Sequence, residues 1–486
     1  MLRFLGTVLI ISAYFVSRSF AGGYPDGKIY GVNLGSWLVL EPWMLPNEWK
    51  RMGGQNCNGC SGCIGSEFDL VKANPQTADQ VFLKHWQASI LPIYTWFAQS
   101  DVDKLASLGI NTVRIPLGYW IIEPLVDRST EFYPRGGLAQ LKRGLKQLKT
   151  ANIAVLLDHH ALPGVQTPNQ AFAGHCTSDV QFYTDANYNR ALQWTAIMAA
   201  ISHLDPDFGS VFAIEAVNEP IADASNTPGY GDFQKNFVQV VRAVEQTLGI
   251  GNQSGANNFT VALSSAAQNS AYNSAVRSAL SAAAPMLSQV AQSLGEPTVF
   301  SGAAVSNRSP LATTFMDYSW QRNNQPNPAD AAKGPQLYDH HLYFSYGVAS
   351  SKSIDGYLQT ICKSNTQQTN AAKGNSPMFC GEFALSTDFT ATDDDLKRWA
   401  DAQKFIHSKA GGWMFWGFKT ESSDLGRQWS YVEGVERGYF TTDPSAYNDE
   451  HVCDAYGGSG GGGNGGTPAS DSSSSKTTKR PMTTAS

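Results

Sequence analysis

The stretch IAVLLDH at residues 153–159 is an aliphatic run that ends in ionisable side chains. The stretch VFAIEAVN at 211–218 has the same form. Continuous apolar runs of this length are typical of parallel β-strands buried on both faces. Five further stretches resemble them: GVNLGSWLVL (31–40), TVRIP (112–116), LYDHHL (337–342), MFCGEF (378–383) and GWMFW (412–416). The sequence therefore predicts a parallel sheet of at least seven strands.

Segments with helical periodicity separate these strands. One of them places four leucines at helical spacing: Leu138, Leu141, Leu145 and Leu148. Strands and helices that alternate in this way predict the α/β class, and specifically a (β/α)8 TIM barrel with loop insertions. The eighth strand, fifth in chain order, is expected at 298–305 (TVFSGAAV), with 260–263 as the alternative.

The two ends of the chain differ from the part between them. Residues 1–21 combine Arg3, an apolar run at 5–16 and a small-x-small site, which predicts a signal peptide rather than a membrane anchor. Residues 457–486 are rich in Gly, Ser and Thr, so we expect a disordered tail. Residues 22–456 are then a single domain. No later segment has the length of a membrane-spanning helix, so we expect a secreted or cell-wall protein without membrane contact after signal removal.

Charge and composition limit the kinds of molecule that the protein is expected to bind. The chain carries 35 Lys and Arg against 41 Asp and Glu, a formal charge of −6. Nucleic acid is an unfavourable partner for such a surface, because phosphate binding usually requires a basic patch. Glycosylation sequons at Asn252, Asn258 and Asn307 agree with secretion. We expect a monomer.

The seven cysteines allow two interpretations. Cys57, Cys60 and Cys63 form a C-x-x-C-x-x-C run, which would suggest zinc in a cytosolic protein. In an oxidising compartment, disulfides are the better interpretation. An odd number leaves at least one thiol free or paired with another chain. Cys380 is expected to be a disulfide or packing residue rather than a nucleophile.

Ionisable residues cluster at the carboxyl ends of the predicted strands, where the active sites of parallel barrels lie. Glu219 follows 211–218, and Glu382 lies near the end of 378–383. A buried carboxylate is costly unless it is paired or hydrogen-bonded, so a structural ion pair is one interpretation. Two such glutamates at one barrel mouth favour catalysis. A pair of carboxylates hydrolyses glycosidic bonds with retention at roughly 5–5.5 Å separation and with inversion at roughly 6.5–9.5 Å.

Several stretches now make the chain resemble a known family, the fungal β-glucanase branch of the retaining glycoside hydrolases of family 5. They occur in family order and span nearly the whole predicted barrel. The matching stretches are GVNLGSWLVLEPWM (31–44), NTVRIPLGYW (111–120), LDHHALPGVQ (157–166), EAVNEP (215–220), DHHLY (339–343), GEF (381–383) and WMFWGFKTE (413–421).

The resemblance implies a role for each matching residue. It makes Glu219 the acid/base and Glu382 the nucleophile, and it implies a β-glucan substrate with neither metal nor organic cofactor. It further implies that Arg114 and Tyr343 support the nucleophile and that Asn218 hydrogen-bonds the sugar 2-hydroxyl. By the same resemblance, His160 and His341 line the −1 subsite. Trp416 then matches a sugar platform, and Glu41 matches a carboxylate that binds sugar hydroxyls. Adjacent side chains of a strand face opposite ways, so the neighbours His159 and His340 are expected to face away from the mouth.

The resemblance also concerns which glycosidic linkage of the glucan is cleaved. Exo-acting β-1,3 members of the branch carry two Phe that clamp the sugar beyond the cleavage point, nine residues after His160 and five after His341. This chain has Asn169 and Tyr346 there, with Phe172 close to the first. These departures weaken the exo-β-1,3-glucanase (glucan 1,3-β-glucosidase) assignment.

The segments 41–70 and 118–120 are more similar to the endo-β-1,6-glucanases of the branch. We therefore favour a glucan endo-1,6-β-glucosidase that works by double displacement. A transglycosylase of the same family would share every catalytic residue. A non-catalytic glucan-binding protein is the remote alternative, because it has no need of both glutamates.

Overall fold

The fold is a closed barrel of eight parallel strands in chain order, with the last strand paired to the first. A computed structural model describes residues 27–87, 96–251, 258–300, 308–320, 327–349, 351–421 and 423–457. The strands are β1 (Ile29–Asn33), β2 (Thr112–Gly118), β3 (Ala154–Ala161), β4 (Val211–Glu215), β5 (Ala312–Met316), β6 (Gln336–Leu342), β7 (Met378–Phe383) and β8 (Gly412–Phe415). The predicted (β/α)8 barrel is confirmed.

Helices surround the barrel. Within the described residues they are α1 (Pro46–Met52), α2 (Glu67–Ala73), α3 (Ala78–Trp86), α4 (Gln99–Ser107), α5 (Gly137–Thr150), α6 (Asp185–Leu204), α7 (Tyr230–Leu248), α8 (Phe259–Ala266), α9 (Ser274–Ala283), α10 (Leu287–Ser293), α11 (Ile354–Cys362), α12 (Thr366–Ala372), α13 (Asp393–His407), α14 (Ser423–Trp429) and α15 (Tyr431–Glu436).

Local sequence explains where helices begin and which face they bury. The four leucines of α5 are buried against the barrel, as their spacing predicts. Thr392 caps α13 by accepting from the backbone N–H of Asp395, whose carboxylate accepts from the backbone N–H of Thr392 in return. Such reciprocal bonds satisfy backbone groups that a helix leaves unpaired at its first turn.

The prediction for the fifth strand is wrong. β5 has the sequence ATTFM and lies beyond both expected stretches. Residues 260–263 belong to α8, and 298–300 form a turn, while 301–305 lie outside the described residues. Two threonines interrupt the apolar run that identified the other strands, so β5 has no strong signal of its own. Its five residues are buried all the same, because β4 and β6 pair with it on either side.

The barrel interior has an apolar part and a charged part. Toward the amino ends of the strands lies a separate cluster of buried apolar side chains: Ile29, Ala154, Leu156, Phe212, Ala213, Ala312, Leu337, Phe379 and Met414. Nearer the carboxyl ends, Arg114 from β2 meets buried carboxylates from β3, β4 and β6. The apolar cluster closes the barrel below, so the charged groups face the mouth above.

Disulfides explain six of the seven cysteines. The pairs are Cys57–Cys63, Cys60–Cys176 and Cys362–Cys453. The disulfide interpretation of the C-x-x-C-x-x-C run is therefore confirmed over the zinc one. Cys380 is a buried free thiol that donates to the backbone carbonyl of Glu382, which agrees with a packing role.

The predicted signal peptide at 1–21 and almost all of the predicted tail at 457–486 lie outside the described residues. Among the helices that the structure describes, none is both long and apolar enough to cross a membrane.

Candidate active site

Two carboxylates face each other at the carboxyl end of the barrel. Glu219 lies four residues beyond the end of β4, and Glu382 is the next-to-last residue of β7. His341 from β6 lies between them, and one polar atom from each of the three side chains lies within 4.8 Å of the other two. Glu382 is buried, whereas Glu219 is half-buried. Both carboxylates therefore reach the same small volume of the cleft.

Glu382 is held on both of its oxygens. Arg114 donates from Nη1 to Oε1 at 2.8 Å, and the hydroxyl of Tyr343 donates to Oε2 at 2.7 Å. Burial raises the pKa of Glu382, while the positive charges of His341 and Arg114 oppose that rise. Hydrogen bonds donated to the charged form favour it, so these two donors offset part of the cost of burial and hold the carboxylate in one orientation.

Glu219 sits in a backbone conformation that few side-chain-bearing residues adopt. Its φ is +41°, in a region where strain is retained chiefly at functional sites. Nδ1 of His341 lies 2.9 Å from Oε1 of Glu219, and Thr167 donates to the backbone carbonyl of Glu219. These contacts fix the direction in which the carboxyl group points.

The surroundings of His341 favour its charged form. Burial alone would lower its pKa, but the charges of Glu382 and Asp339 and a hydrogen bond with Glu219 raise the pKa well above its usual range. An imidazolium next to both glutamates attracts negative charge on either. It therefore links the two carboxylates electrostatically.

Asn218 lies beside the pair. Its Oδ1 accepts a 2.8 Å hydrogen bond from Nη2 of Arg114. With Oδ1 engaged, Nδ2 is the part of the amide left to donate to a substrate hydroxyl. The same guanidinium thus orients Asn218 and Glu382.

One wall of the cleft is built on aromatic rings. The ring of His160 stacks on Trp416 with centroids 5.6 Å apart and planes 8° apart. Phe172 lies edge-on to the same imidazole at 5.4 Å. Nδ1 of His160 is 2.5 Å from Oδ2 of Asp158, which fixes the ring. Sugars stack on such apolar faces, so this wall suits a carbohydrate.

Glu41 supplies a third carboxylate to the cleft. Oε2 accepts a 2.9 Å hydrogen bond from Nε1 of Trp43. Burial raises the pKa of Glu41 to about 7, against the charge of His160 and the Trp43 hydrogen bond, both of which lower it. The negative charges of Glu382 and Glu219 raise it further. This group therefore takes up or releases a proton near neutral pH.

The structure brings all nine sequence-predicted site residues to this end of the barrel and turns their histidine neighbours away. His159 stacks on Trp194 of α6 at 3.9 Å, and burial lowers its pKa to about 3. His340 bonds through Nδ1 to Asp317 at 2.7 Å. The predicted orientation of His160 and His341 toward the mouth is thus what the structure has.

Sequence reasoning missed two buried carboxylates beneath Glu382. Glu215 accepts from Nε of Arg114 at 2.9 Å, and Asp339 lies 3.5 Å from the same nitrogen. The signal was present, because Glu215 is a glutamate inside an otherwise apolar strand, the feature that singled out Glu382. A Cβ at Gly381 would lie 2.0 Å from Oδ1 of Asp339, so glycine is required where β7 passes this carboxylate.

Three tryptophans at the mouth were also missed. Trp43 and Trp429 are in edge contact at 5.1 Å, and Trp429 lies 5.6 Å from Tyr343. Trp320 contacts His341 edge-on at 5.9 Å. Trp320 follows β5, so the misplaced fifth strand concealed it. The other two lie in or next to short helices that follow β1 and β8, where the path of the chain has no sequence signal.

Glu219, His341 and Glu382 are also the one cluster of metal-type ligands found among the described residues. A cation there would compete with His341 and Arg114 for the same oxygens. The absence of a metal cofactor remains a prediction from the resemblance.

Comparison with known proteins places this geometry in a family. The model of Cellulase (glycosyl hydrolase family 5) matches residues 76–422, most of the chain. The chain belongs to glycosyl hydrolase family 5. It is therefore an O-glycosyl hydrolase, as the paired glutamates at the barrel mouth predict.

Curated relatives extend the family 5 match. The chain is 30% identical to the probable glucan endo-1,6-beta-glucosidase B of Neosartorya fischeri, over 88% of this chain and 90% of the relative. It is 29% identical to glucan endo-1,6-beta-glucosidase B of Emericella nidulans, over 88% of each. The probable glucan 1,3-beta-glucosidase A of Aspergillus niger is 25% identical, over 88% and 91%.

Among solved structures, rutinosidase from Aspergillus niger superposes with a TM-score of 0.56 at 19% identity. The match covers 86% of this family 5 chain and 99% of the rutinosidase. At this identity the likeness concerns the fold alone.

Proposed function

We propose that this family 5 hydrolase is a secreted, retaining endo-β-1,6-glucanase. The observation that carries the reaction type is the approach of Glu219 and Glu382, since one carboxylate oxygen of each lies within 4.8 Å of the other. Retaining glycosidases place their carboxyl groups roughly 5–5.5 Å apart, whereas inverting enzymes leave roughly 6.5–9.5 Å for a water molecule. The separation in this cleft supports direct attack by one carboxylate.

In the first step Glu382 attacks the anomeric carbon while Glu219 protonates the leaving glycosidic oxygen. The bond from the anomeric carbon to that oxygen breaks, and a glycosyl ester to Glu382 forms. Arg114 and Tyr343 orient the attacking carboxylate, and preorganised donors of this kind lower the barrier without reorganising during the reaction. Nδ2 of Asn218, whose Oδ1 is engaged by Arg114, donates to the 2-hydroxyl in this proposal as positive charge develops on the sugar ring.

In the second step Glu219, now ionised, removes a proton from water. The resulting nucleophile attacks the anomeric carbon and releases Glu382, so the configuration is retained overall. His341, bonded to Glu219 and close to Glu382, stabilises negative charge wherever it resides in the two steps. Each glutamate therefore changes charge next to the same imidazolium.

The relatives and the clamp positions together support β-1,6 linkage. The relatives with 29–30% identity over 88% of this chain carry an endo-1,6 name. One 1,3-named relative that covers 88% of this chain is 25% identical, and another that is 32% identical covers only 44% of it. At the positions of the two clamping Phe, this chain has Asn169 and Tyr346, and Tyr346 is 58% exposed. An endo-acting enzyme must leave room for polymer on both sides of the cleavage point, and an exposed tyrosine at a clamp position agrees with an open cleft.

Secretion is part of the proposal. Three disulfides in one chain are typical of an oxidising compartment. Asn258 of the second sequon is exposed at the start of α8, where a glycan has access. Together with the predicted signal peptide at 1–21, these features support an extracellular or cell-wall location.

The test is product analysis on linear β-1,6-glucan and linear β-1,3-glucan under identical conditions, with Glu382→Gln as the inactive control. We expect a ladder of oligomers from the β-1,6 polymer and little product from the other. Steady release of glucose from β-1,3-glucan would identify an exo-β-1,3-glucanase instead. Products longer than an oligosaccharide substrate would identify a transglycosylase. Binding without cleavage of either polymer would identify a non-catalytic glucan-binding protein.

A further inference from the structure

A charged layer lies directly beneath the nucleophile. Arg114 is in ionic contact with four carboxylates: Oε1 of Glu382 at 2.8 Å, Oε2 of Glu215 at 2.9 Å, Oδ2 of Asp158 at 3.1 Å and Oδ2 of Asp339 at 3.5 Å. The side chains of Arg114, Asp158, Glu215 and Asp339 are entirely shielded from solvent. Water therefore does not screen these charges.

The charges in this layer do not balance if every acid is ionised. Two imidazoles join Arg114: His160 contacts Asp158, and Nε2 of His341 lies 3.5 Å from Oδ2 of Asp339. Glu219 carries a proton in the free enzyme if it is the acid of the first step, and even with both imidazoles counted as positive, three cations then face the four carboxylates of the layer. Uncompensated charge is strongly unfavourable in a site closed to water. At least one of these acids must therefore carry a proton.

The hydrogen bonds of the four acids indicate which of them carries that proton. Burial disfavours the charged form of Asp158, yet Arg114 and His160 hold its pKa below the usual range, so Asp158 is ionised. Within the described residues, Oε1 of Glu215 and Oδ1 of Asp339 have no hydrogen-bond partner. Among the same residues, Oδ2 of Asp339 has only the long 3.5 Å approaches of Nε2 of His341 and Nε of Arg114. Two carboxyl groups with unpaired oxygens thus converge on one nitrogen, Nε of Arg114, which has a single proton to donate.

We propose that Glu215 and Asp339 hold one proton between them and together carry a single negative charge. Burial raises the pKa of Glu215 well above its usual range; Arg114 opposes the rise, and the charges of Asp339 and Asp158 add to it. Two carboxylates in one site commonly share a proton in this way. The titratable groups that face Glu215 come from β2, β3, β6 and α7: Arg114, Asp158, Asp339, His341 and Tyr230.

The shared proton affects the charge state of Glu382 indirectly, because it changes how much of the positive charge of Arg114 is neutralised. If Glu215 and Asp339 were both ionised, their two negative charges would outweigh the single positive charge of the guanidinium. The positive potential at Glu382 would then be lower. With one proton shared, Arg114 retains a net attraction for the nucleophile and for Oδ1 of Asn218. Glu215 and Asp339 are thus positioning residues. The inference rests on the proposed role of Glu382 for its kinetic readout only.

The kinetic test compares Glu215→Gln, Asp339→Asn and the double variant by the pH dependence of kcat/KM on a β-1,6-linked gluco-oligosaccharide. If one proton is shared, each single variant leaves one negative charge, and the midpoint of the acid limb stays at its wild-type pH. The double variant removes that charge, so the acid limb moves down by about one to two pH units. This non-additive pattern identifies the shared proton.

Additive shifts would overturn the proposal. If both acids are ionised in the wild type, each single variant lowers the acid limb, and the double variant lowers it about twice as far. If both acids are protonated, the double variant shows no shift. The single variants preserve side-chain volume and decide between one charge and two even if the double variant does not fold.

A second readout needs no activity. Infrared difference spectra of the full-length unliganded protein at neutral pH should lose one protonated-carboxyl band in either single variant. Glu67→Gln is the matched control, because Glu67 is a buried glutamate away from Arg114 whose pKa burial raises to about 8. That control should lose a band without moving the acid limb. An unchanged band in Glu215→Gln and Asp339→Asn refutes the shared proton, whereas loss of the band in a protein inactive on glucans refutes the proposed function alone.

Discussion

The hydroxyl of Tyr343 donates a 2.7 Å hydrogen bond to Oε2 of Glu382, the oxygen that Arg114 leaves free. The two donors approach the carboxylate from different strands, β2 and the end of β6. A hydrogen bond to a charged group contributes roughly 1.5–3 kcal/mol. Tyr343 therefore sets both the orientation and the charge of the candidate nucleophile.

Tyr343→Phe should lower kcat/KM by about 10- to 100-fold, since each 1.36 kcal/mol is tenfold in rate. The acid limb of the pH profile should move to higher pH, because Glu382 loses a donor that favours its ionised form. Steady-state kinetics across pH measures both effects. Tyr338→Phe is the control: Tyr338 lies on the same strand, and its hydroxyl bonds Gln336 instead. Wild-type kcat/KM in Tyr343→Phe would contradict this role.

Glu382→Gln should abolish nearly all turnover, because an amide cannot form the glycosyl ester. The substitution keeps the side-chain volume and an oxygen for Arg114, so the thermal midpoint and glucan binding should stay close to those of the wild type. Calorimetric titration with a β-1,6-gluco-oligosaccharide measures the binding. Normal turnover in this variant would eliminate Glu382 as the nucleophile.

Glu219→Gln should slow both steps, because the leaving oxygen and the attacking water lose their proton carrier. With an aryl glucoside that has a good leaving group, the first step needs little acid assistance. Added azide should then accelerate turnover of the variant and yield a β-configured glycosyl azide, while the wild type gains little. An azide product of the α configuration, or no acceleration, would argue against Glu219 as the acid/base.

Several of the strands that sequence analysis predicted contain a clear apolar run, such as VFAI in β4. β5 was missed because Ala-Thr-Thr-Phe-Met lacks such a run and owes its burial to its neighbours. The strand-end pattern and the resemblance to the family gave the residues lining the mouth. Neither gave the contact of Glu215 and Asp339 with one guanidinium nitrogen, because that contact depends on strand register and on how the barrel closes.

Glu41 makes stability depend on pH. Its folded pKa of about 7 lies above the ordinary 4.5, so the folded state binds the proton more tightly than the unfolded state. The contribution of Glu41 to the free energy of unfolding is greatest below about pH 4.5. It falls as the pH rises and levels off above about pH 7. The free energy of unfolding of Glu41→Gln should therefore rise relative to that of the wild type by up to about 3 kcal/mol as the pH increases across that interval.

Chemical denaturation at a series of pH values measures this difference. Glu436→Gln is the control, because Glu436 is largely exposed in its pair with Lys104 and should show no such trend. A Glu41→Gln curve parallel to the wild type would mean that Glu41 is ionised throughout.

The Cys60–Cys176 disulfide ties the wall of the cleft to the insertion that precedes β2. Cys176 lies four residues after Phe172, which contacts His160, and the intervening His175 stacks on Phe68 at 3.8 Å. Removing the bridge with Cys60→Ser/Cys176→Ser should free this wall as well as lower the thermal midpoint. We expect KM for β-1,6-glucan to rise several-fold with a smaller change in kcat, because Glu219 follows β4 and Glu382 belongs to β7, whereas Phe172 follows β3.

Cys362–Cys453 provides the matched comparison. It closes a segment of similar length, with sequence separations of 91 and 116 residues, and chain-entropy arguments give the two bridges nearly equal stabilisation. Cys362→Ser/Cys453→Ser should therefore lower the thermal midpoint by a similar amount while KM stays at the wild-type value. If both double variants raise KM equally, loss of global stability explains the effect. A rise confined to Cys60→Ser/Cys176→Ser identifies the bridge as a support for Phe172 and the sugar-binding wall.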